Sequence, residues 1–190
     1  MGEADDTIYA IVNRWTVKPP ERFIIVSGDK DFLQLVDDQT SVYVPHKDVL
    51  VTPRNFEEVT GVPRERFLDF LILMGDRSDD IPGVPGIGEK TAVKLVTSIG
   101  SIHAIKSSEG KYGELVKAHS PEVKLARSLI DLSRVTDERD LDVDWGDYRF
   151  DSFLEEAGRL EMDSIIDEAS RWEEVFSMNY CLWKHRRKNP

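Results

Sequence analysis

Residues 75–92 read GDRSDDIPGVPGIGEKTA, and the organisation of the chain turns on them. Three carboxylates, Asp76, Asp79 and Asp80, lead into a Gly/Pro-rich turn and then into a helix start bearing Lys90. The first half attracts cations and the second half is built to hold an anion. A divalent cation together with a phosphodiester backbone satisfies both.

The whole chain sets the bounds. Its 190 residues can bury a sizeable core, and an apolar fraction of 40% with 32% charged residues fits a globular protein. No apolar run approaches the roughly 18 residues that span a bilayer, and the acidic start is not a signal peptide, so a cytoplasmic setting is expected. Cys181 is the one cysteine, so no internal disulfide can form. His46, His103, His119 and His185 show no metal-ligand spacing and receive no role. The net charge of −11 argues at first against nucleic acid, yet residues 81–130 carry 7 Lys+Arg against 4 Asp+Glu, net +3. The basic segment begins just after the acidic motif.

The hydrophobic pattern predicts a helix over 3–14, then, after Pro19-Pro20, a strand over 22–29 buried on both faces and ending at Gly28. A helical turn from Lys30 and two short strands, 41–44 and 49–51, follow. Thr52 and Pro53 read as N-cap and N1 of a short helix to Val59. Pro63 opens another, with Phe67, Phe70, Leu71 and Met74 at i, i+3, i+4 and i+7, stopping at Gly75. Further helices are expected over 88–99, 101–106, 122–133 and 163–176, with an extended acidic stretch at 140–147. The order suggests an α/β layer with a partial parallel sheet over 1–80, a helical subdomain over 81–179 and a basic tail over 180–190.

Carboxylates gather at element ends in three places. Glu3, Asp5 and Asp6 lie in a first helical turn; Asp29 and Asp31 lie at the carboxyl end of a strand, where α/β sheets collect ligands; Asp76 and Asp79 follow an apolar helix. Each group alone is equally good as a cap or a turn. Together they offer the oxygen donors that Mg²⁺ or Mn²⁺ prefers, and the spacing of a Ca²⁺ loop is absent. In the turn, Gly83, Val84, Gly86, Ile87 and Gly88 can bring backbone amides close to a phosphate, with Lys90, Thr91 and Lys94 on the following helix. That is helix–hairpin–helix chemistry, a sequence-independent grip on a DNA backbone. It is not a P-loop, because Glu89 stands between Gly88 and the lysine.

GEADD, VSGDKDFLQLV and MGDRSDDIPGVPGIGEKTAVKLV, in this order and at these separations, resemble the 5′-nuclease family. That family includes the 5′–3′ exonuclease domain of bacterial DNA polymerase I, phage 5′ exonucleases and flap endonucleases. The resemblance covers residues 2–106 most strongly and implies a metal-dependent nuclease of DNA replication and repair. It implies two divalent ions held by Glu3, Asp5, Asp6, Asp29, Asp31, Asp76 and Asp79, with Asp29 and Asp31 closest to the catalysis. It also implies a duplex-binding hairpin over Gly83–Gly88, with K⁺ on its carbonyls. Asp80 departs from the family, whose bacterial branch usually has Asn there.

A larger departure is that family members carry about another hundred residues before the EADD motif, an estimate from the resemblance rather than from ordinary domain sizes. Those residues include strands with further metal-binding Asp and a helical arch. The chain therefore resembles a C-terminal portion, for which the missing N-terminal half as a separate polypeptide is an expected partner. The leading expectation is two-metal hydrolysis of flap or branched DNA. The alternatives are a DNA-junction-binding module without catalysis and a helical domain with incidental acids.

Overall fold

The computed structural model describes residues 4–14, 22–77, 79–134 and 150–167. Glu3, the acidic stretch 140–147, the end of the helix expected to 176 and the basic tail lie outside them. Helix α1, Ala4–Arg14, opens on Asp5 and Asp6, whose negative charge suits the helix N-terminus. Its Ala10 is buried, and Ile8, Tyr9 and Val12 pack against the core.

Three strands form one sheet in the order β1 (Phe23–Val26), β2 (Thr40–Val44), β3 (Val49–Val51). β1 and β2 run parallel, with Phe23 opposite Thr40 and Val26 opposite Tyr43; β2 and β3 are antiparallel. The tight β2–β3 connection is a 3₁₀ turn, Pro45–Lys47, closed by Asp48 in the left-handed region at φ 48. An Asp tolerates that conformation better than most residues.

β1 is not buried on both faces, as its β-branched run had suggested. Ile25 is buried, whereas Ile24 and Val26 are 60% and 66% exposed. Their side chains alternate across the pleat, and β1 is an edge strand of this sheet. The parallel crossover from β1 to β2 is short, made by a 3₁₀ helix, Lys30–Leu35, that buries Phe32 and Leu33. Asp37 steadies the entry to β2 by accepting from the amides of Gln39 and Thr40 at 2.8 and 2.7 Å.

Helix α2 is Phe56–Thr60, later than Thr52-Pro53 had implied. The Asn55 carboxamide explains the delay. Its Oδ1 accepts from both the amide and the hydroxyl of Thr52, and its Nδ2 donates to the Leu50 carbonyl, so residues 52–55 close as a turn. α3, Phe67–Met74, is the apolar axis of the molecule, with Phe67, Phe70, Leu71, Ile72 and Leu73 all buried. Phe56 meets Phe67 edge-to-face at 5.2 Å, tying α2 to α3. α3 packs on α4, Glu89–Ser98, and on α7, Ser120–Ile130, where Arg127 donates to Asp69 at 3.0 Å.

α5, Ile102–Ser107, is capped by the Ser101 hydroxyl, which accepts from the Ala104 amide. It packs on α6, Lys111–Ala118, a helix beyond those expected. Gly110 and Gly113 obscure it in the sequence. Gly113 is buried, and a Cβ there would strike the Ser108 carbonyl, so glycine is what lets the two helices meet. A second unit, 141–190, contains α8, Phe150–Arg159, and α9, Asp163–Asp167, which pack on each other. α8 was also unexpected, although Phe150, Phe153, Leu154 and Ala157 do carry helical spacing.

The chain crosses itself where α3 ends. Gly75 has φ 68, and a Cβ there would lie 2.6 Å from the Ile81 carbonyl oxygen and 2.7 Å from the Gly83 Cα. At Gly83 a Cβ would run into the Met74 carbonyl and sit 2.8 Å from the Gly75 amide. Both positions require glycine because backbone meets backbone. Gly75→Ala and Gly83→Ala should each cost about 3 kcal/mol or more, read as a shift in the urea midpoint. Gly88→Ala, where a Cβ meets nothing within 4 Å, should stay within about 1 kcal/mol of the parent chain.

Candidate functional site

Two loops carry the acids. The first leaves β1 through Ser27 and Gly28. Its Asp29 caps the 3₁₀ helix, with Oδ1 accepting from the Asp31 amide at 2.8 Å while the Asp29 amide donates to the Ser27 hydroxyl at 3.1 Å. The second leaves α3 at Gly75. Asp76 and Ile81 exchange both backbone hydrogen bonds, at 3.0 and 2.7 Å, which pins the loop 77–80 as a tight excursion carrying Asp79 and Asp80. Asp80 sits at φ 55, a left-handed position that Asp and Asn both tolerate. Its departure from the bacterial pattern is thus compatible with the same turn.

The loops face one another. The Asp31 carboxyl is half-buried and pushed up to about 6, first by burial, then by Asp29, with further upward pressure from Asp76 and Asp79 and relief from Lys30. Residues 48 positions apart in the chain thus share one negative field. The ammonium of Lys30 bridges the gap and pairs with Asp76 Oδ2. Sequence reasoning passed over Lys30; its place between Asp29 and Asp31 was the available signal.

Convergence is nevertheless partial. Among the described residues no three Asp, Glu, His or Cys side chains come together closely enough to hold a metal ion. Asp5 and Asp6 stand half-buried in the first turn of α1, and Glu3 lies outside the described residues. Four like charges with Lys30 paired to one of them have an electrostatic reason to stay apart.

Beyond the acidic loop the turn divides into buried and open parts. Val84 and Ile87 are buried, and the Val84 amide donates to Leu73 at 2.9 Å, so their side chains anchor the turn instead of facing a ligand. Gly86, at φ 83, and Gly88 are exposed. α4 then begins, with the Thr91 and Ala92 amides both donating to the Gly88 carbonyl. Lys90 and Lys94 are exposed on α4, and Thr91 is half-buried. A cavity of about 410 Å³ opens beside the first acidic loop and reaches the start of α4, with Asp29, Lys30, His46, Lys47 and Glu89 among its polar lining and Phe67, Phe70 and Met74 among its apolar lining. His46, given no role from the sequence, is exposed and forms part of this lining.

Comparison with known proteins accords with this layout. The family model described as "5′-3′ exonuclease, N-terminal resolvase-like domain" matches residues 1–61, and "5′-3′ exonuclease, C-terminal SAM fold" matches residues 62–156. The thermostable DNA polymerase I of Thermus filiformis is 36% identical over 179 residues, covering 87% of this chain and 20% of that protein. A 5′-3′ exonuclease of Halalkalibacterium halodurans is 39% identical over 105 residues, covering 54% of this chain and 35% of its own length.

Among solved structures, phage T5 5′-exonuclease with bound divalent zinc superposes with a TM-score of 0.58 at 26% identity, over 68% of this chain and 50% of that one. A bacteriophage T5 flap endonuclease complex with DNA and metal ions gives 0.58 at 25% identity with the same coverage. This chain therefore spans from a fifth to half of the length of these relatives. No helix among the described residues is long and apolar enough to cross a membrane. Matched along its strands, acidic loops and hairpin alike, the chain belongs to the 5′-3′ exonuclease family.

Proposed function

We propose that the chain carries a metal-binding and DNA-gripping part of a 5′-3′ exonuclease or flap endonuclease, a hydrolase of phosphodiester bonds in DNA. The observation that carries this reading is the meeting of two acidic loops: Lys30, between Asp29 and Asp31 on the first, pairs with Asp76 on the second, and the half-buried Asp31 carboxyl feels Asp29, Asp76 and Asp79. The donor set fits a hard divalent cation such as Mg²⁺ or Mn²⁺ in its chemistry: all oxygens, with Asp31 and Asp76 half-buried and Asp29 and Asp79 exposed. Asp29, Asp31, Asp76 and Asp79 would hold it, with Glu3, Asp5 and Asp6 as the remaining expected donors. Two such ions supply an activated water and stabilisation of the departing 3′ oxygen when bound.

The chain's own residues do the rest. Burial of Asp31 and the backbone pairing of Asp76 hold the carboxylates on fixed loops, so little reorganisation is needed when charge develops. The duplex lies against the turn after the acidic loop. Gly86 and Gly88 leave backbone there uncovered, and the first amides of α4, at Glu89 and Lys90, point along the helix axis toward an approaching phosphate. Val84 and Ile87 hold the turn from beneath, Lys90 and Lys94 supply charge, and K⁺ on the turn's carbonyls belongs to the same reading. The exposed Ile24 and Val26 of β1 support association with further polypeptide of the family's N-terminal kind. The setting implied is a bacterial or phage-infected cytoplasm, in DNA replication and repair.

A second reading is a DNA-junction-binding module without catalysis. The absence of a three-donor group among the described residues favours it. Incubation with a 5′-flap substrate and Mn²⁺ separates the two: cleavage that Asp29→Asn abolishes supports the nuclease, and binding without cleavage supports the module.

Replacing Lys90 and Lys94 with Ala should weaken binding equally for unrelated duplexes and lower the salt slope of log K by about 1 per lysine. An unchanged slope would remove α4 from the DNA contact. For Asp31, a folded-state value above the ordinary 3.8 means that the native state binds the extra proton, so stability falls as pH rises from about 4 to about 6 and then levels. In EDTA at pH 7.5, Asp31→Asn should therefore melt higher, by about 1–2 kcal/mol after allowance for solvent screening, and that gain should vanish near pH 4. Mn²⁺ should raise the melting temperature of the parent chain and not of Asp31→Asn. Equal Mn²⁺ responses would reject Asp31 as a ligand.

A further inference from the structure

The acidic loops already contain a cation. Lys30 stands between Asp29 and Asp31 at the start of the 3₁₀ helix, and its ammonium reaches the second loop to pair with Asp76 Oδ2. The Asp76 side chain is 11% exposed and that of Lys30 38%, so the pair is better shielded than an ordinary surface ion pair. It is also the contact that spans the two loops, one following β1 and the other following α3.

We infer that Lys30 is a positioning residue that stands in for a divalent cation: its ammonium holds Asp76 while the acidic loops are metal-free, and a cation arriving at Asp76 has to displace it. This rests on the metal-binding reading of the site. The argument is one of competition. A carboxylate oxygen engaged by an ammonium has its lone pairs and its charge already directed at a donor. A divalent cation coordinates through those same oxygens. Two cations at one oxygen repel, so each weakens the other, and linkage makes the factor the same in both directions.

Removing the ammonium then has two effects of opposite sign. Without metal it leaves a shielded carboxylate beside other carboxylates, which destabilises the fold. With metal it deletes the competitor, which tightens binding. A lysine that only decorates the surface would do neither. A lysine that orients Asp76 for the metal would make binding weaker on removal. The sign of the affinity change therefore separates the three roles.

The test uses the 190-residue chain with Mn²⁺ as the probe, titrated by calorimetry and by the paramagnetic signal of the free ion, with thermal melts in EDTA alongside. Lys30→Met should melt lower than the parent chain in EDTA and bind Mn²⁺ roughly fivefold or more tightly. Lys30→Arg, which keeps the charge, should stay near the parent in both. If Lys30→Met does not fold, Lys30→Gln keeps a hydrogen-bond donor to Asp76 without the charge and should show the same tightening. Mn²⁺ affinity equal to or below that of a parent chain that does bind overturns the inference and leaves the metal reading standing. If neither parent nor variant binds Mn²⁺, the metal reading falls and takes this inference with it.

Discussion

The backbone contact between Gly75 and Gly83 governs where the site can lie. α3 is anchored by Leu71, Ile72 and Leu73, all fully buried, so the point at which the chain leaves it is set by the core. Immediately afterwards the chain folds back onto that helix end, close enough that neither glycine could carry a side chain. The Asp76–Ile81 pair and the bond from the Val84 amide to Leu73 lock the return. One crossing therefore fixes two segments to which a function is proposed above: the acidic excursion within it, and the turn 84–88 beyond it. Their separation along the chain cannot drift.

The acidic loops show what that rigidity is used against. Burial first, and then repulsion from Asp29 and from Asp76 and Asp79 across the loops, holds the Asp31 carboxyl well above its ordinary range. A flexible loop would relieve the repulsion by moving away. Here one loop is tied to β1 through the Ser27 and Asp29 caps, and the other to α3 through backbone pairing. The Lys30–Asp76 pair offsets part of that repulsion. The cation-binding reading proposed above rests on this: both loops are tied to the core, so the carboxylates have little room to move further apart.

The sheet is open along one face of β1. Ile24 and Val26 project from an edge strand with their apolar side chains uncovered, while Ile25 between them is buried. A parallel pair of strands is ordinarily covered on both faces. Here Ile24 and Val26 leave one face of β1 open, and the chain spans from a fifth to half of the length of the relatives it matches.

Much was legible from local pattern. The apolar helix ending at Gly75, the Gly/Pro turn, the β2–β3 pair and the clustering of acids at element ends follow from side-chain periodicity and turn chemistry, which act over a few residues. What the sequence alone left open depended on contacts between distant residues. The exposure of Ile24 and Val26 depends on what lies across the sheet, and β-branched residues look alike on a covered or an open face. The delayed start of α2 came from the Asn55 side chain competing for Thr52, and α6 was hidden because its glycines serve a close approach to α5. The pairing of Lys30 was hidden for the same reason: its partner Asp76 is 46 positions away, and only the folded chain brings the ammonium to it. Sequence by itself determined which residues could carry charge, cap and turn; tertiary structure decided which charges face one another, because electrostatic coupling depends on distance through space and not along the chain.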